Sequence, residues 1–179
     1  KKAAALEDIA SSFTRSEPGV AFAQLQFSIG WMYYEGNNLP RDYARAAAWY
    51  RKAAEQGHAQ AQVNLAVMYT EGEGVAASKV EALKWFRQAA EQGFAEGQTA
   101  LGVMYALGQG VEADLVQANK WLALAAAQGD ADAQVAHTEL VTKLSPAQLA
   151  ESKKLTEQWQ AQRAPAPKPA PDPEVPKPE

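Results

Sequence analysis

The sequence predicts an all-α fold, a solenoid of stacked helical hairpins, from three observations. The tripeptide Ala-Gln-Gly or Glu-Gln-Gly recurs with its glycine at Gly57, Gly93 and Gly129, an interval of 36 residues. Tyr33, Tyr69 and Tyr105 keep that interval, as do Trp49, Trp85 and Trp121, Met32, Met68 and Met104, and Gly36, Gly72 and Gly108. Helix caps and glycine stops then bracket two helices within each interval. A period of this length denotes one supersecondary unit stacked on copies of itself, each covering its neighbour's apolar face, with at least three needed for stability.

The elements follow in order. Residues 1–22 form an N-terminal capping segment: counting back 36 from Trp49 and Ala46 gives Phe13 and Ala10, so residues 3–15 read as the second helix of an incomplete preceding unit. Repeat 1 covers 23–58. There Asp42 caps the second helix alone, because Arg45 stands where a Glu would complete a capping box, and Asn38 replaces the second turn glycine, a substitution that a left-handed turn tolerates.

Repeat 2 covers 59–94. Its first helix runs from Ala59 to about Thr70 and is stopped by Gly72-Glu73-Gly74-Val75, glycines supplying the positive φ angles of the stop and turn. Its second helix opens at Ser78 with Glu81 reaching back, a Ser-x-x-Glu capping box, and Gly93 ends it. Ala82, Trp85 and Ala89 form one apolar stripe, and Trp85 and Tyr69 are expected in the core because both keep the repeat register. Repeat 3 covers 95–130, with Asp114 and Gln117 at the capping positions.

Residues 131–163 form a partial repeat and a C-terminal capping helix. Ala131 to Gln134 restart a first helix, after which Val141 replaces the repeat tyrosine and the glycine turn is missing. Ser145-Pro146-Ala147-Gln148 then opens a helix that reaches about Gln162 and carries Trp159. Beyond Arg163 a proline at nearly every second position turns residues 164–179 into an extended polyproline tail of about 3.1 Å per residue. The tail reads either as a solvated spacer or as a segment that lies along a partner.

Composition narrows the function. A formal charge of −4 and a pI near 5.3 leave no basic stripe for nucleic acid, and no apolar run reaches the ~20 residues that cross a bilayer. Without cysteine there are no disulfides, thiolate metal sites or cysteine nucleophiles. Only His58 and His137 occur, one in a turn and one in the register of Leu65 and Leu101, so neither a zinc spacing nor a nucleophilic dyad can be built. Gly72-x-Gly74 joins helix to helix and lacks the following Lys-Ser/Thr, so it is a turn and not a phosphate loop. No enzyme activity, cofactor or metal is expected. The chain starts at Lys1-Lys2-Ala3 with no initiator Met and no apolar segment, so a signal peptide has been removed or was never there.

Residues 59–75 read Ala-x-Ala-Gln-x-x-Leu-Ala-x-x-Tyr-x-x-Gly-x-Gly-Val, followed by Ala82-x-x-Trp85 and Ala89-Ala90-Glu91-Gln92-Gly93. This pattern, held over about residues 23 to 134, resembles the Sel-one-like repeat (SLR) family, relatives of the tetratricopeptide repeats. The resemblance implies a right-handed α–α superhelix acting as an adaptor or scaffold in protein complexes. It also implies a bacterial periplasmic or secreted location, with a cytoplasmic one as the alternative.

The variable positions of the first helices indicate where a partner could bind. On a helical wheel Gln60, Val63, Val67, Thr70 and Glu71 share about 100° of arc, opposite the repeating Gln62, Leu65, Ala66, Met68 and Tyr69. The equivalent residues are Gln24, Phe27, Trp31, Tyr34 and Glu35 in repeat 1, Glu96, Thr99, Val103, Ala106 and Leu107 in repeat 3, and Asp132, Val135, Glu139, Thr142 and Lys143 in the partial repeat. By resemblance to tetratricopeptide-like stacks, this face lines a concave groove. Phe27, Trp31, Tyr34, Val63, Val67, Thr70, Val103 and Leu107 are the expected partner-binding residues, since an exposed apolar groove usually binds something. Trp31 is the sharpest pointer because it lies outside the register of the other repeat tryptophans, although Phe27 and Trp31 could instead pack under the N-terminal cap. The sequence therefore predicts a non-enzymatic scaffold that binds a peptide, helix or loop of another protein in this groove. The alternative is a structural subunit of a larger, membrane-associated assembly, held through the convex face or the Pro-rich tail.

Overall fold

A computed structural model describes residues 20–37 and 39–163 of the chain. The helix expected over 3–15, Asn38 and the Pro-rich tail lie outside them. The described residues form eight helices and no strand: α1 (Val20–Glu35), α2 (Tyr43–Glu55), α3 (Ala59–Glu71), α4 (Lys79–Glu91), α5 (Ala95–Leu107), α6 (Leu115–Ala127), α7 (Ala131–Val141) and α8 (Pro146–Arg163). Helices pair as α1–α2, α3–α4 and α5–α6, and each hairpin packs on the next through α2–α3, α4–α5 and α6–α7.

One turn chemistry closes every hairpin. Gly72 sits at φ 77° as the left-handed C-cap of α3 and Gly108 at φ 66° as that of α5, each donating its N–H to the repeat methionine carbonyl four residues back. Gly74 serves a different purpose, because a Cβ on it would stand 2.2 Å from the backbone carbon of Tyr43, so only glycine lets this turn lie on the start of α2. The second helices are capped by Asp42, Ser78 and Asp114, whose side chains accept from Arg45, Glu81 and Gln117 N–H at 3.0, 3.2 and 2.9 Å.

The expected Ser78–Glu81 box is only half formed. Ser78 N–H already donates to the Tyr69 carbonyl at 2.8 Å, as Asp42 and Asp114 do to those of Tyr33 and Tyr105, so no cap donor is left for Glu81. Its carboxylate turns to Lys84 instead. At α8, Ser145 has no such tyrosine carbonyl behind it and the box is reciprocal: Gln148 Oε1 accepts from Ser145 N–H at 2.9 Å while Ser145 Oγ accepts from Gln148 N–H at 3.3 Å.

No hairpin owns a core. One apolar cluster joins Ile29, Tyr33, Trp49 and Tyr50 of α1 and α2 to Leu65 and Met68 of α3, a second joins Val63 and Phe86 to Leu101 and Trp121, and a third joins Leu122 to Leu140 and Leu144. Each lies across a seam between units, so the repeats stabilise one another rather than themselves. Through the seams runs a ladder of buried amides. Gln62 Nε2 donates to the Ala54 carbonyl of the preceding unit at 3.0 Å, and its Oε1 accepts from Gln92 Nε2 at 2.7 Å. Gln98 repeats this with Ala90 and Gln128 at 3.3 and 2.8 Å, and Gln56 donates to Gln26 one unit earlier.

The tryptophan register divides. Trp49 and Trp121 are buried, whereas Trp85 and Tyr69 are half-buried at the cluster margins, a shallower placement than their fixed register implies. Lys52 covers the Trp49 ring at 4.1 Å, and Lys120 and the edge of Trp159 cover Trp121 at 4.2 and 5.9 Å. The last helix does not complete a hairpin with α7. It lies on α6, joined by Asn119 Nδ2 donating to Ser152 Oγ at 2.7 Å, and reaches back so that Arg163 donates to the Glu91 and Gln92 carbonyls at the end of α4.

His58 caps α3: its Nδ1 accepts from Ala61 N–H at 3.2 Å, so Nε2 carries the proton and donates to Gln24 Oε1 at 2.9 Å. Burial holds the pKa of His58, and of half-buried His137, below the ordinary 6.5.

Two predictions follow from these contacts. Gln98→Leu fills the same space but strands the Ala90 carbonyl, and in urea denaturation it should lower stability by about 1–3 kcal/mol; an unchanged midpoint would mean the ladder is dispensable. For the histidines, a folded pKa below the unfolded one means that stability is full above about pH 6.5 and falls as pH drops below it. His58→Asn keeps a cap acceptor and His137→Leu matches Leu65 and Leu101, so the double variant should flatten the urea midpoint between about pH 7.5 and about 5.5 relative to the parent. A parent profile already flat over that range would refute the assignment.

Candidate functional site

The first helices of successive units touch along one side of the stack, α3 with α5 and α5 with α7; of their variable positions Val63 lies in a core cluster, Phe27, Tyr34, Val103 and Ala106 pack against the cluster margins, and Trp31, Val67 and Leu107 belong to none. Among the described residues the exposed large apolar side chains are Trp31, Val67, Leu107, Val135 and Val80. The first four belong to this face and only Val80, on α4, lies elsewhere, so the exposure is concentrated rather than scattered.

The residues expected in the groove separate into three groups. Trp31, Val67 and Leu107 are 43%, 40% and 64% exposed, and Tyr34 and Val103 are half-buried walls of two pockets described below. Val63 is a correction: it is 7% exposed and belongs to the cluster between the second and third units, because it lies on the edge of the variable arc beside Ala66 and the next hairpin covers it. Phe27 and Thr70 stand between these groups. Phe27 stacks on the His58 ring at 4.6 Å and tilts against Tyr50 at 5.6 Å, while the Thr70 hydroxyl donates back to the Ala66 carbonyl at 3.0 Å.

Two pockets open on this face at equivalent places two units apart. The first, of about 190 Å³, lies between α1 and α3, walled by Trp31, Tyr34, Glu35, Asn64 and Val67 and floored by Tyr50 of α2. The second, of about 200 Å³, lies between α5 and α7 and is lined by Val103, Ala106, Leu107, Ala136, Glu139, Leu140 and Lys143 over Leu122 of α6. The floor residue is the position that reads Tyr50, Phe86 and Leu122 along the chain. Each polar floor or apolar floor is seated by a glycine on the helix above it. A Cβ on Gly30 would stand 2.7 Å from Tyr50 Cδ1, and one on Gly102 the same distance from Leu122 Cγ. Helical glycine costs about 1 kcal/mol against alanine, and here that loss admits the floor side chain.

The electrostatics of the two pockets differ. Tyr34 donates its hydroxyl to Glu73 Oε2 at 2.9 Å, and that bond, with burial and Glu35 nearby, raises its pKa. Tyr50 is 1% exposed and its hydroxyl meets no partner at full hydrogen-bond geometry, the Asn64 amide being the polar group that acts on it. Burial pushes its pKa up to about 12, Tyr34 and Glu35 push the same way, and the Asn64 amide pulls against them. Tyr50, Asn64 and Leu122 escaped the sequence reading because they lie outside the variable arc, and the available signal was that Tyr50 alone adds a hydroxyl to the position of Phe86 and Leu122.

No curated protein shows significant sequence similarity to the chain. Among solved structures it resembles a protective antigen of uropathogenic Escherichia coli that displays an SLR fold, with 27% identity and a TM-score of 0.71 over 89% of this chain. It also resembles a Sel1 repeat protein from Oxalobacter formigenes, with 33% identity and a TM-score of 0.65 over 74% of this chain. The match spans 38% of the first protein's length and 58% of the second's. The Sel1 repeat model matches residues 23–58, 59–94 and 95–130, the three units built on the glutamine ladder and the glycine turns, and the chain belongs to the Sel1 repeat family.

Proposed function

We propose that this chain is a non-enzymatic scaffold whose concave groove, lined by α1, α3, α5 and α7, binds a segment of a partner protein. Sel1 repeat proteins are generally protein-interaction scaffolds. The observation that carries the finer reading is the gathering of exposed apolar side chains, Trp31, Val67, Leu107 and Val135, on the one face whose residues vary between units. Stacked hairpins hold these side chains in position before any partner arrives, so binding orders little and loses little conformational entropy. Aromatic anchors such as Trp31 supply most of the affinity in surfaces of this kind, about 2 kcal/mol or more each.

The test begins with affinity capture and crosslinking from the source cells, followed by variants of the captured complex. Val67→Asp and Leu107→Asp, in the groove, should each abolish capture, whereas Val80→Asp, equally exposed at 52% but on α4, should leave it intact. Retention of the partner by both groove variants would move the interface elsewhere.

A further inference from the structure

The groove carries the same pocket twice with opposite chemistry. At the α5–α7 end the floor is Leu122 and the walls are mainly aliphatic. At the α1–α3 end the floor is a tyrosine, and two aromatic rings and two polar groups stand around it. The intermediate position holds Phe86, a buried member of the apolar cluster that also takes in Val63 of α3 and Leu101 of α5.

We propose that the pocket over Tyr50 receives a basic side chain, lysine or arginine, of the bound segment, its cationic head set against Trp31 and Tyr34 beside the Glu35 carboxylate and donating to the Tyr50 hydroxyl. This rests on the groove reading and names what its α1–α3 end recognises.

Four observations point to a cation. Trp31 is 43% exposed at the pocket mouth and offers a ring face to a charge. The acidic groups are Glu35 in the wall and Glu73, held by the Tyr34 hydroxyl, while no Lys or Arg lines the pocket. Arg41, the nearby guanidinium, donates to the Glu35 backbone carbonyl at 3.3 Å and lies over Tyr43 at 6.0 Å, which leaves the Glu35 carboxylate free of it. Finally, a buried hydroxyl without a partner is unfavourable, and the two other units avoid it by placing Phe86 and Leu122 there. With its pKa near 12, Tyr50 stays neutral, so it serves the guest as a hydrogen-bond acceptor rather than as a counter-charge. The hydroxyl is closed to bulk solvent, and a guest reaches it by turning aside the Asn64 amide, which Gln60 holds at 3.2 Å.

The test uses the whole chain, ¹⁵N-labelled, with the Trp31 indole N–H as reporter. The probes are n-butylammonium and n-butylguanidinium chlorides against 1-butanol and sodium pentanoate at matched ionic strength. The two cations should shift the Trp31 resonance with a Kd on the order of millimolar, and the alcohol and the anion should not. Tyr50→Phe and Glu35→Gln should each weaken the cations by about threefold or more. Tyr50→Phe should fold normally, since Phe86 occupies the same position, and its urea midpoint should hold or rise as the unpartnered hydroxyl is removed. Equal shifts from butanol or pentanoate, or unchanged cation affinity in both variants, would overturn the inference. If the probes fail while Val67→Asp still abolishes partner capture, the groove reading survives without this pocket. If the probes succeed while Val67→Asp leaves capture intact, the groove reading fails instead.

Discussion

A buried carboxamide must find partners for both its oxygen and its nitrogen, and Gln62 and Gln98 find them on two different hairpins. The nitrogen ties to the last turn of the preceding second helix and the oxygen to a glutamine at the end of the unit's own second helix. Sliding or rotating one hairpin on another by a residue would break both bonds inside an apolar seam. Apolar contacts among alanines, which make up much of each cluster, are poor at fixing register because small side chains interlock weakly. The ladder supplies the missing specificity, and the left-handed glycines after each helix bring Gln56, Gln92 and Gln128 to the right place.

Because the stack repeats so faithfully, functional differences reside in departures from the period. Tyr50, Phe86 and Leu122 occupy the same position of successive units, yet the first floors a pocket with a hydroxyl-bearing ring, the second is a buried phenyl ring in the middle cluster and the third floors an aliphatic pocket. Gly30 and Gly102 match this division, while Ala66 stands at their position in the middle unit. One stack thus presents different chemistry at different points along one face. The terminal helix shows the same economy: α8 abandons the hairpin pairing and lies on α6, so Trp159 and Ser152 cover a surface that a further unit would otherwise have to bury.

The element order, the glycine stops and the cap residues were legible because they depend on local chemistry repeated at one interval. What was missed depends on contacts between units. A glutamine in every first helix reads as a repeating position, but its two partners are 8 residues before it and 30 after it, beyond the reach of a helical wheel. Glu81 was assigned to the Ser78 cap by a local rule that ignores the Tyr69 carbonyl across the turn. Val63 was placed on the groove because the wheel does not show the next hairpin closing over the edge of the arc. The sequence places His58 in a turn, and the wheel gives no sign that its imidazole nitrogen accepts an amide there as Asp130 does in the last unit. Trp31 and Val67, at the middle of the arc, and Leu107, at its edge, lie exposed on the face that the wheel selects, whereas Val103, the third residue at the middle position, is half-buried against the last cluster.

Buried glutamine amides lock one hairpin to the next and so fix the relative positions of the side chains on the exposed face of the first helices. Hydrogen exchange of the side-chain amides, resolved by ¹⁵N NMR, tests it directly. Gln62 and Gln98 Nε2 protons should exchange only through opening of the helices, as slowly as the backbone amides of α3 and α5, while those of the exposed Gln158 and Gln162 on α8 exchange as free side chains do. Exchange of Gln62 and Gln98 at the rate of those surface amides would contradict the account.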